Sequence, residues 1–281
     1  MNPQVQPVTK TERFPYKPYD STIFHEHHSK TEPFQNEMSK FVYYRTYSRW
    51  DDAKSRRETW DETVQRCVDY LKKVSKSKLK KSDYELIHKY ILEMKVMPSM
   101  RLLWTAGKPA TLNNVAIYNC STVPIDSLSS FAEVYFLLMS GTGVGIDVSK
   151  KYVEKIPKVK KLNGDKQKIV FDDSKEGWAV GTMEVCQAMW EGFDVEWDLS
   201  KLRPQGARLK TFGGRSSGPG PLDETLHFIK HMGEAHRDRK LSSINAFDIV
   251  TKIANSVVVG GVRRSSIITL SDLHDNGMRD A

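Results

Sequence analysis

Three polar segments in the middle of the chain carry residue types that can bind or react with a small polar substrate. Segment 98–101 (PSMR) places a hydroxyl and a guanidinium after a helical pattern, and segment 119–121 (NCS) sets a thiol among polar neighbours at the end of a strand-like run. Strand ends are where α/β folds collect active-site residues. Segment 140–145 (SGTGVG) is a glycine-rich turn whose backbone can approach a phosphate or a sugar closely. Each signal is weak alone, because an isolated thiol or glycine turn is more often structural.

The three cysteines differ in their surroundings. Cys67 and Cys186 fall within helical apolar patterns and are expected to be small core residues. Cys120 lies among polar residues. An odd number of cysteines without a C-x-x-C pair argues against a disulfide scaffold and fits a reducing compartment, so we expect a cytoplasmic protein.

The composition excludes several classes of protein. No apolar run approaches the roughly 20 residues of a membrane span, and the first residues lack the apolar region of a secretory signal. The net charge is +8, with basic blocks at 72–81 and 155–168. These blocks lack the interleaved aromatic residues of a single-strand binding surface, so the sequence favours a solvated surface and we expect no nucleic-acid partner. The histidine cluster at 24–28 lacks metal-site spacing, and we predict no metal site.

The patterning divides the chain into three parts. Residues 1–40 have no sustained periodicity and predict an extended or disordered arm, and residues 41–97 predict a helical cap. Ser82 with Glu85, and Ser130 with Glu133, have the spacing of capping boxes at helix starts. From residue 98 to residue 281, strand-like runs such as VAIYN, GIDVS and SSIITLS alternate with helices, which predicts parallel pairing and an α/β fold.

Taken in order, several long stretches resemble one family. They are YYRTYSRW, WDETVQR, PSMRLLWTAG, NNVAIYNC, SGTGVGIDVSK, LRPQGARLKTFGGRSSGPGPL and VVVGGVRRSS. This series is similar to the adenosylcobalamin-dependent ribonucleoside-triphosphate reductases. The resemblance implies an N-terminal helical cap followed by the first, incomplete part of a ten-stranded α/β barrel.

The resemblance also implies roles for individual residues. Cys120 matches the first member of a redox cysteine pair whose partner lies beyond the end of this chain. Two further groups match the family's binding positions: Ser99, Asn119 and Gly143 for the substrate, and Asp126 with Ser127 for a specificity effector. Asn119 departs from the serine of the iron-dependent relatives, which favours the cobalamin branch. The alternative for Asp126 and Ser127 is that they cap a helix and bind no effector.

The implied reaction replaces the ribose 2′-hydroxyl of a ribonucleoside triphosphate with hydrogen. It requires adenosylcobalamin, a thioredoxin-like reductant and the remaining C-terminal portion of the enzyme, with a deoxynucleotide effector as a further ligand. The radical cysteine and the cobalamin-binding region match none of these residues, so we expect the chain alone to be inactive. Segment 150–175 is shorter than in monomeric members, which leaves the effector site simpler, absent or shared across a dimer. The alternatives are a catalytic chain that takes its radical from an iron or manganese protein, and an inactive nucleotide-binding module.

Overall fold

The computed structural model describes residues 33–207, 215–259, 262–263 and 266–281. The histidine cluster and most of the expected N-terminal arm lie outside these ranges. Helix α1 (Glu37–Thr46) begins within the last residues of that expected arm. No helix of the described ranges is long and apolar enough to cross a membrane.

The first part of the structure is helical. After α1 come a two-strand hairpin, β1 (Trp50–Asp51) with β2 (Arg56–Arg57), the helices α2 (Trp60–Val74), α3 (Lys81–Leu92), α4 (Met100–Thr105) and α5 (Lys108–Leu112), and a 3-10 turn (Asn114–Ile117). A separate apolar core holds these elements together, with Tyr43, Trp60, Val64, Cys67 and Leu103 all buried. The helical pattern read from the sequence in this region is confirmed.

Local signals set where α2 starts. The Thr59 side chain accepts a hydrogen bond from the Glu62 backbone N–H, and the Glu62 carboxylate accepts one from the Thr59 N–H. Arg56 donates to the same carboxylate, and this hydrogen bond holds the pKa of Glu62 well below its usual range. The two capping boxes expected from the sequence are wrong. Helix α3 begins one residue before Ser82, and the helix containing Ser130 begins two residues before it.

The second part alternates strands and helices. Its elements are β3 (Cys120–Pro124), α6 (Leu128–Met139), β4 (Gly143–Asp147), α7 (Lys150–Val153), β5 (Lys166–Val170), α8 (Lys175–Glu191), β6 (Asp194–Asp198), α9 (Gly220–Ala235), α10 (Ser243–Ser256), β7 (Val258–Val259), β8 (Val262–Arg263), β9 (Ile267–Leu270) and α11 (Asn276–Arg279). Strands β3, β4 and β9 form one parallel sheet in that order, and β5 pairs with β6 in parallel. The expected parallel pairing and α/β class are confirmed.

The three-stranded sheet buries one face only. Val123, Val144 and Ile146 point into the core, where Phe131 and Tyr135 of α6 are fully buried. On the opposite face, Cys120, Thr122 and Ile268 are exposed. This alternation follows from the two-residue period of a strand. The chain therefore presents one open sheet face, formed by alternate residues of β3, β4 and β9.

The segment VAIYN is not a strand, so that expectation is wrong. Asn113 Oδ1 accepts a hydrogen bond from the Val115 N–H at 3.1 Å, which favours the turn that follows. The strand begins only at Cys120. Cys120 therefore lies at the amino end of β3, and the rule for carboxyl ends of parallel strands does not explain its position.

Candidate functional site

The open sheet face carries a shallow groove whose floor is formed by two glycines. In the register of the sheet, Cys120 pairs with Gly143 and Thr122 with Gly145, while Gly145 pairs with Ile268 on the other side. Ser266 precedes β9 and lies beside Gly143, because Val144 donates its backbone N–H to the Ser266 carbonyl at 3.0 Å. We call this the glycine-floored groove, with floor Gly143 and Gly145 and walls Cys120, Thr122, Ser266 and Ile268.

The groove has no room for side chains on its floor. A Cβ added to Gly143 would lie 2.8 Å from Ser266 Oγ, and one added to Gly145 would lie 3.3 Å from Thr122 Cγ2. The first distance is shorter than real Cβ contacts, so the serine hydroxyl would have to move. The glycines therefore leave the backbone of β4 open between the side chains of its two neighbours.

Cys120 differs from the other cysteines in access to solvent. Its side chain is exposed at the groove, whereas Cys67 and Cys186 are buried. Burial raises the pKa of the Cys67 thiol to about 11 and that of Cys186 to about 12. Both buried thiols stay protonated at neutral pH, and the thiolate is the reactive form. The expectation that Cys67 and Cys186 are core residues is confirmed.

Asn119 ties the start of β3 to the start of β4. Its carbonyl oxygen accepts a hydrogen bond from the Gly143 N–H at 2.8 Å, and its side chain is exposed next to Cys120. The structure thus brings together three residues that the sequence singled out, Cys120, Asn119 and Gly143. Gly145, the last residue of the glycine-rich segment 140–145 that the sequence also singled out, joins them, and so does Ser266, which the sequence alone did not identify as a site residue.

The turn before Gly143 is held from the helical part of the structure. Asn113 Nδ2 donates to Ser140 Oγ at 2.9 Å, and Arg101 Nη2 donates to the Gly141 carbonyl. Gly141 has a φ of +87°, a conformation that favours glycine. Lys175 Nζ lies 3.4 Å from Ser140 Oγ, and burial lowers the pKa of this lysine. Sequence patterns did not reveal Asn113 or Lys175, because neither belongs to the glycine turn.

Ser99 caps helix α4 and is exposed. Its Oγ accepts a hydrogen bond from the Leu102 N–H at 3.1 Å. Arg101, two residues on, reaches Gly141, so Ser99 belongs to the same end of the structure as the turn. At the other end of α4, Arg66 donates to the Leu103 and Ala106 carbonyls while pairing with the Glu58 carboxylate at 2.8 Å. These contacts fix α4 and with it the segment 98–101.

Asp126 and Ser127 lie apart from this group. They follow the carboxyl end of β3, whereas Cys120 lies at its amino end, so the strand separates them by roughly 15 Å. Ser127 is the N-cap residue of α6 by position, yet its hydroxyl contacts Ser129 and Ser130 and makes no side-chain cap. The Asp126 carboxylate lies 3.8 Å from Lys155 Nζ. The capping alternative therefore explains little of their arrangement.

Comparisons with known proteins identify the family. The ribonucleotide reductase alpha domain matches residues 20–108, and the insertion domain of B12-dependent ribonucleotide reductase matches residues 147–232. The chain belongs to the ribonucleotide reductase family. An adenosylcobalamin-dependent ribonucleoside-triphosphate reductase of Euglena gracilis is 32% identical over 90% of this chain and 37% of its own length. One from Lactobacillus delbrueckii subsp. bulgaricus is 31% identical over 88% of this chain and 42% of its own.

A solved structure of B-12 dependent (class II) ribonucleotide reductase has a similar fold. The TM-score is 0.74 at 25% identity, over 85% of this chain and 42% of that one. The chain thus spans about 40% of the length of these ribonucleotide reductases. The alignment with the Lactobacillus relative extends over 316 residues, more than the whole of this chain, so that reductase has many positions without a counterpart here.

Proposed function

We propose that this chain supplies the substrate-facing part of an adenosylcobalamin-dependent ribonucleoside-triphosphate reductase, with Cys120 as one of its two redox thiols. The observation that carries the proposal is the exposed Cys120 thiol beside a strand whose glycines leave the backbone open. A flat sugar ring can approach such a surface closely, and the thiol then stands next to it. Asn119 and Ser99 are the further substrate contacts of this proposal.

Cys120 acts both as an acid and as a reductant in this proposal. The Cys120 thiol donates a proton to the departing 2′-hydroxyl, which leaves as water. The C2′ position gains hydrogen, and the two electrons come from Cys120 and a second cysteine, which together become a disulfide. Cys67 and Cys186, the other two cysteines among the described residues, are buried. The second thiol therefore comes from outside the described residues. A thioredoxin-like protein then reduces the disulfide, and the exposure of Cys120 gives such a reductant access.

The glycine-floored groove does not fit the cobalamin itself. The walls of the glycine-floored groove are two strand spacings apart, roughly 10 Å, which suits a ribose and is too narrow for a corrin ring. The described residues also contain no group of three or more His, Cys, Asp or Glu side chains that could hold a metal. Adenosylcobalamin supplies radical chemistry when bound. We place its binding region outside the described residues.

The open sheet face is part of a larger structure in this proposal. Ile268 and Leu270 are 68% and 59% exposed beside the groove, and no strand among the described residues pairs with the outer edge of β9. Further strands from the rest of the family's sequence would pair with this edge and complete a ten-stranded barrel, with the open face on its inside. The division into an arm (1–40), a helical cap (41–97) and a partial barrel (98–281) belongs to the same proposal. The two separate apolar cores support it.

Asp126 and Ser127 are the proposed effector contacts. Their distance from Cys120 supports a second nucleotide site, since one nucleotide could not easily touch both ends of β3. Lys155 is close enough to Asp126 to add positive charge for a deoxynucleotide phosphate.

Reconstitution tests the function. The complete enzyme is this chain together with a polypeptide that carries the rest of the family's sequence. With adenosylcobalamin and a dithiol, it should convert ribonucleoside triphosphates to deoxyribonucleotides, while the chain alone should not. Activity that needs an iron or manganese protein instead of adenosylcobalamin would favour the metal-radical alternative. Nucleotide binding without reduction under either condition would favour the inactive module. The relatives named above favour the cobalamin enzyme.

A further inference from the structure

Ser266 lines the glycine-floored groove, and the proposed function gives it no role. It stands in the same row as Cys120 and Gly143, across three neighbouring parallel strands. Residues paired across parallel strands point to the same face, so the Ser266 hydroxyl and the Cys120 thiol face the groove from opposite sides. Ser266 is exposed, and its Oγ has no hydrogen-bond partner among the residues that the structure describes.

The position of the Ser266 hydroxyl is well defined. The Ser266 carbonyl is anchored by the Val144 N–H, and its Oγ lies over the Cα of Gly143, where a Cβ would come within 2.8 Å of it. The Ser266 hydroxyl therefore occupies space that the lack of a side chain at Gly143 leaves open. In the next row the same space above Gly145 lies between two methyl groups, Thr122 Cγ2 and Ile268 Cγ2, which offer no hydrogen bond.

We propose that Ser266 is a further substrate-contacting residue, which hydrogen-bonds the ribonucleotide on the side away from the Cys120 thiol. The inference rests on the proposed function, which puts the ribose 2′ position against the Cys120 thiol. The Cα atoms of Cys120 and Ser266 are two strand spacings apart, roughly 10 Å, and the Ser266 hydroxyl reaches back over Gly143 between them. A nucleotide on the groove floor therefore lies within reach of both side chains, and a serine hydroxyl can donate to an oxygen of the ribose, the phosphate or the base, or accept from a base amine.

Substitution of Ser266 in the complete enzyme tests this contact. Ser266→Ala should raise the KM for a ribonucleoside triphosphate about three- to tenfold, the loss of one hydrogen bond, and leave kcat within about twofold. The Kd from equilibrium binding of the same nucleotide should rise by the same factor. Ser271→Ala is the matched control, because Ser271 is also an exposed serine and lies just after the other end of β9. The contact would be refuted if Ser266→Ala gave the KM and Kd of Ser271→Ala.

A double-mutant cycle tests the link between Ser266 and Gly143. If a Cβ at Gly143 acts by displacing the serine hydroxyl, Gly143→Ala should weaken binding in the wild-type background and add little to Ser266→Ala. Equal effects of Gly143→Ala in both backgrounds would contradict that link. Repeating the binding measurement with the ribonucleoside, which lacks phosphates, tells a phosphate contact from a contact with the ribose or the base. Binding does not depend on turnover, so a failure of the proposed reductase activity is distinguishable from a failure of this contact.

Discussion

Asn113 donates a buried hydrogen bond of 2.9 Å to the Ser140 hydroxyl and so joins the helical part of the chain to the turn before Gly143. Asn113 follows α5 of the helical part, and Ser140 ends α6 of the α/β part. Arg101 makes a second connection one residue further along, at the Gly141 carbonyl. The position of the groove floor therefore depends on contacts from a part of the chain that contributes little else to it.

Asn113→Ala should loosen that connection. It removes the donor and leaves the buried Ser140 hydroxyl without this partner, which should cost about 1–2 kcal/mol of stability. The turn before Gly143 should relax as well, so the KM of the complete enzyme for its ribonucleotide should rise. Thermal unfolding and steady-state kinetics measure the two effects. Asn114→Ala, at the exposed neighbouring residue, is the control and should change neither quantity. Equal behaviour of the two variants would contradict the proposed role of Asn113.

Gly181→Ala should destabilise the α/β part. A Cβ at this position in α8 would lie 2.6 Å from Cδ1 of Phe171, whose ring is fully buried and cannot easily move. Overpacking of this kind costs about 1–3 kcal/mol, more than the gain in helix propensity from alanine. Gly220→Ala is the matched control, since a Cβ on this first residue of α9 meets no atom within 4 Å. Melting temperatures should fall for the first variant and stay level or rise for the second.

Much of the fold could be predicted from the sequence. The apolar spacing of Trp60, Val64 and Cys67 predicted α2, and the alternation of strands and helices predicted parallel pairing. The predicted strand GIDVS (145–149) overlaps β4, which begins and ends two residues earlier. These signals are local and strong, because burial of one face imposes a fixed period on the sequence.

Other features depend on contacts that a sequence does not display. Strands β5 and β6 were missed because their charges hide the pattern: Lys166 and Lys168 of the basic block pair with Glu196 and Asp198 across the sheet. The role of Ser266 in the groove arises from its register against Gly143, more than a hundred residues earlier in the chain. Cys120, Asn119 and Gly143 were found only through the combined motifs and the resemblance to a family.

Because it buries thiols, the protein should lose stability in alkali. Burial raises the pKa of Cys186 to about 12, whereas an unfolded thiol ionises near 9. The folded state therefore keeps the proton that the unfolded state releases, and the stability from this group is present below pH 9 and lost as the pH rises towards 12. Cys186→Ala removes the group, so its melting temperature should fall less between pH 8 and pH 10 than that of the wild type. A variant with the wild-type pH dependence would contradict the burial of this thiol.

Cys120→Ser in the complete enzyme should abolish turnover with a thioredoxin-like reductant, because serine cannot form the disulfide. Cys67→Ser should affect mainly stability, since its thiol is buried and lies 3.7 Å from the Leu102 carbonyl. Steady-state assays of both variants, with circular dichroism to check folding, separate the two roles. Loss of activity in a stable Cys67→Ser variant, with Cys120→Ser still active, would reverse the assignment.

The most direct test of the account is to locate the disulfide after one turnover. The prereduced complete enzyme is mixed with adenosylcobalamin and a ribonucleoside triphosphate in the absence of any reductant, quenched with a thiol-blocking reagent and digested for mass spectrometry. We expect one equivalent of deoxyribonucleotide, with Cys120 joined to a cysteine of the complementary polypeptide and with Cys67 and Cys186 still reduced. Deoxyribonucleotide formation with Cys120 recovered as a free thiol would contradict the role proposed for Cys120.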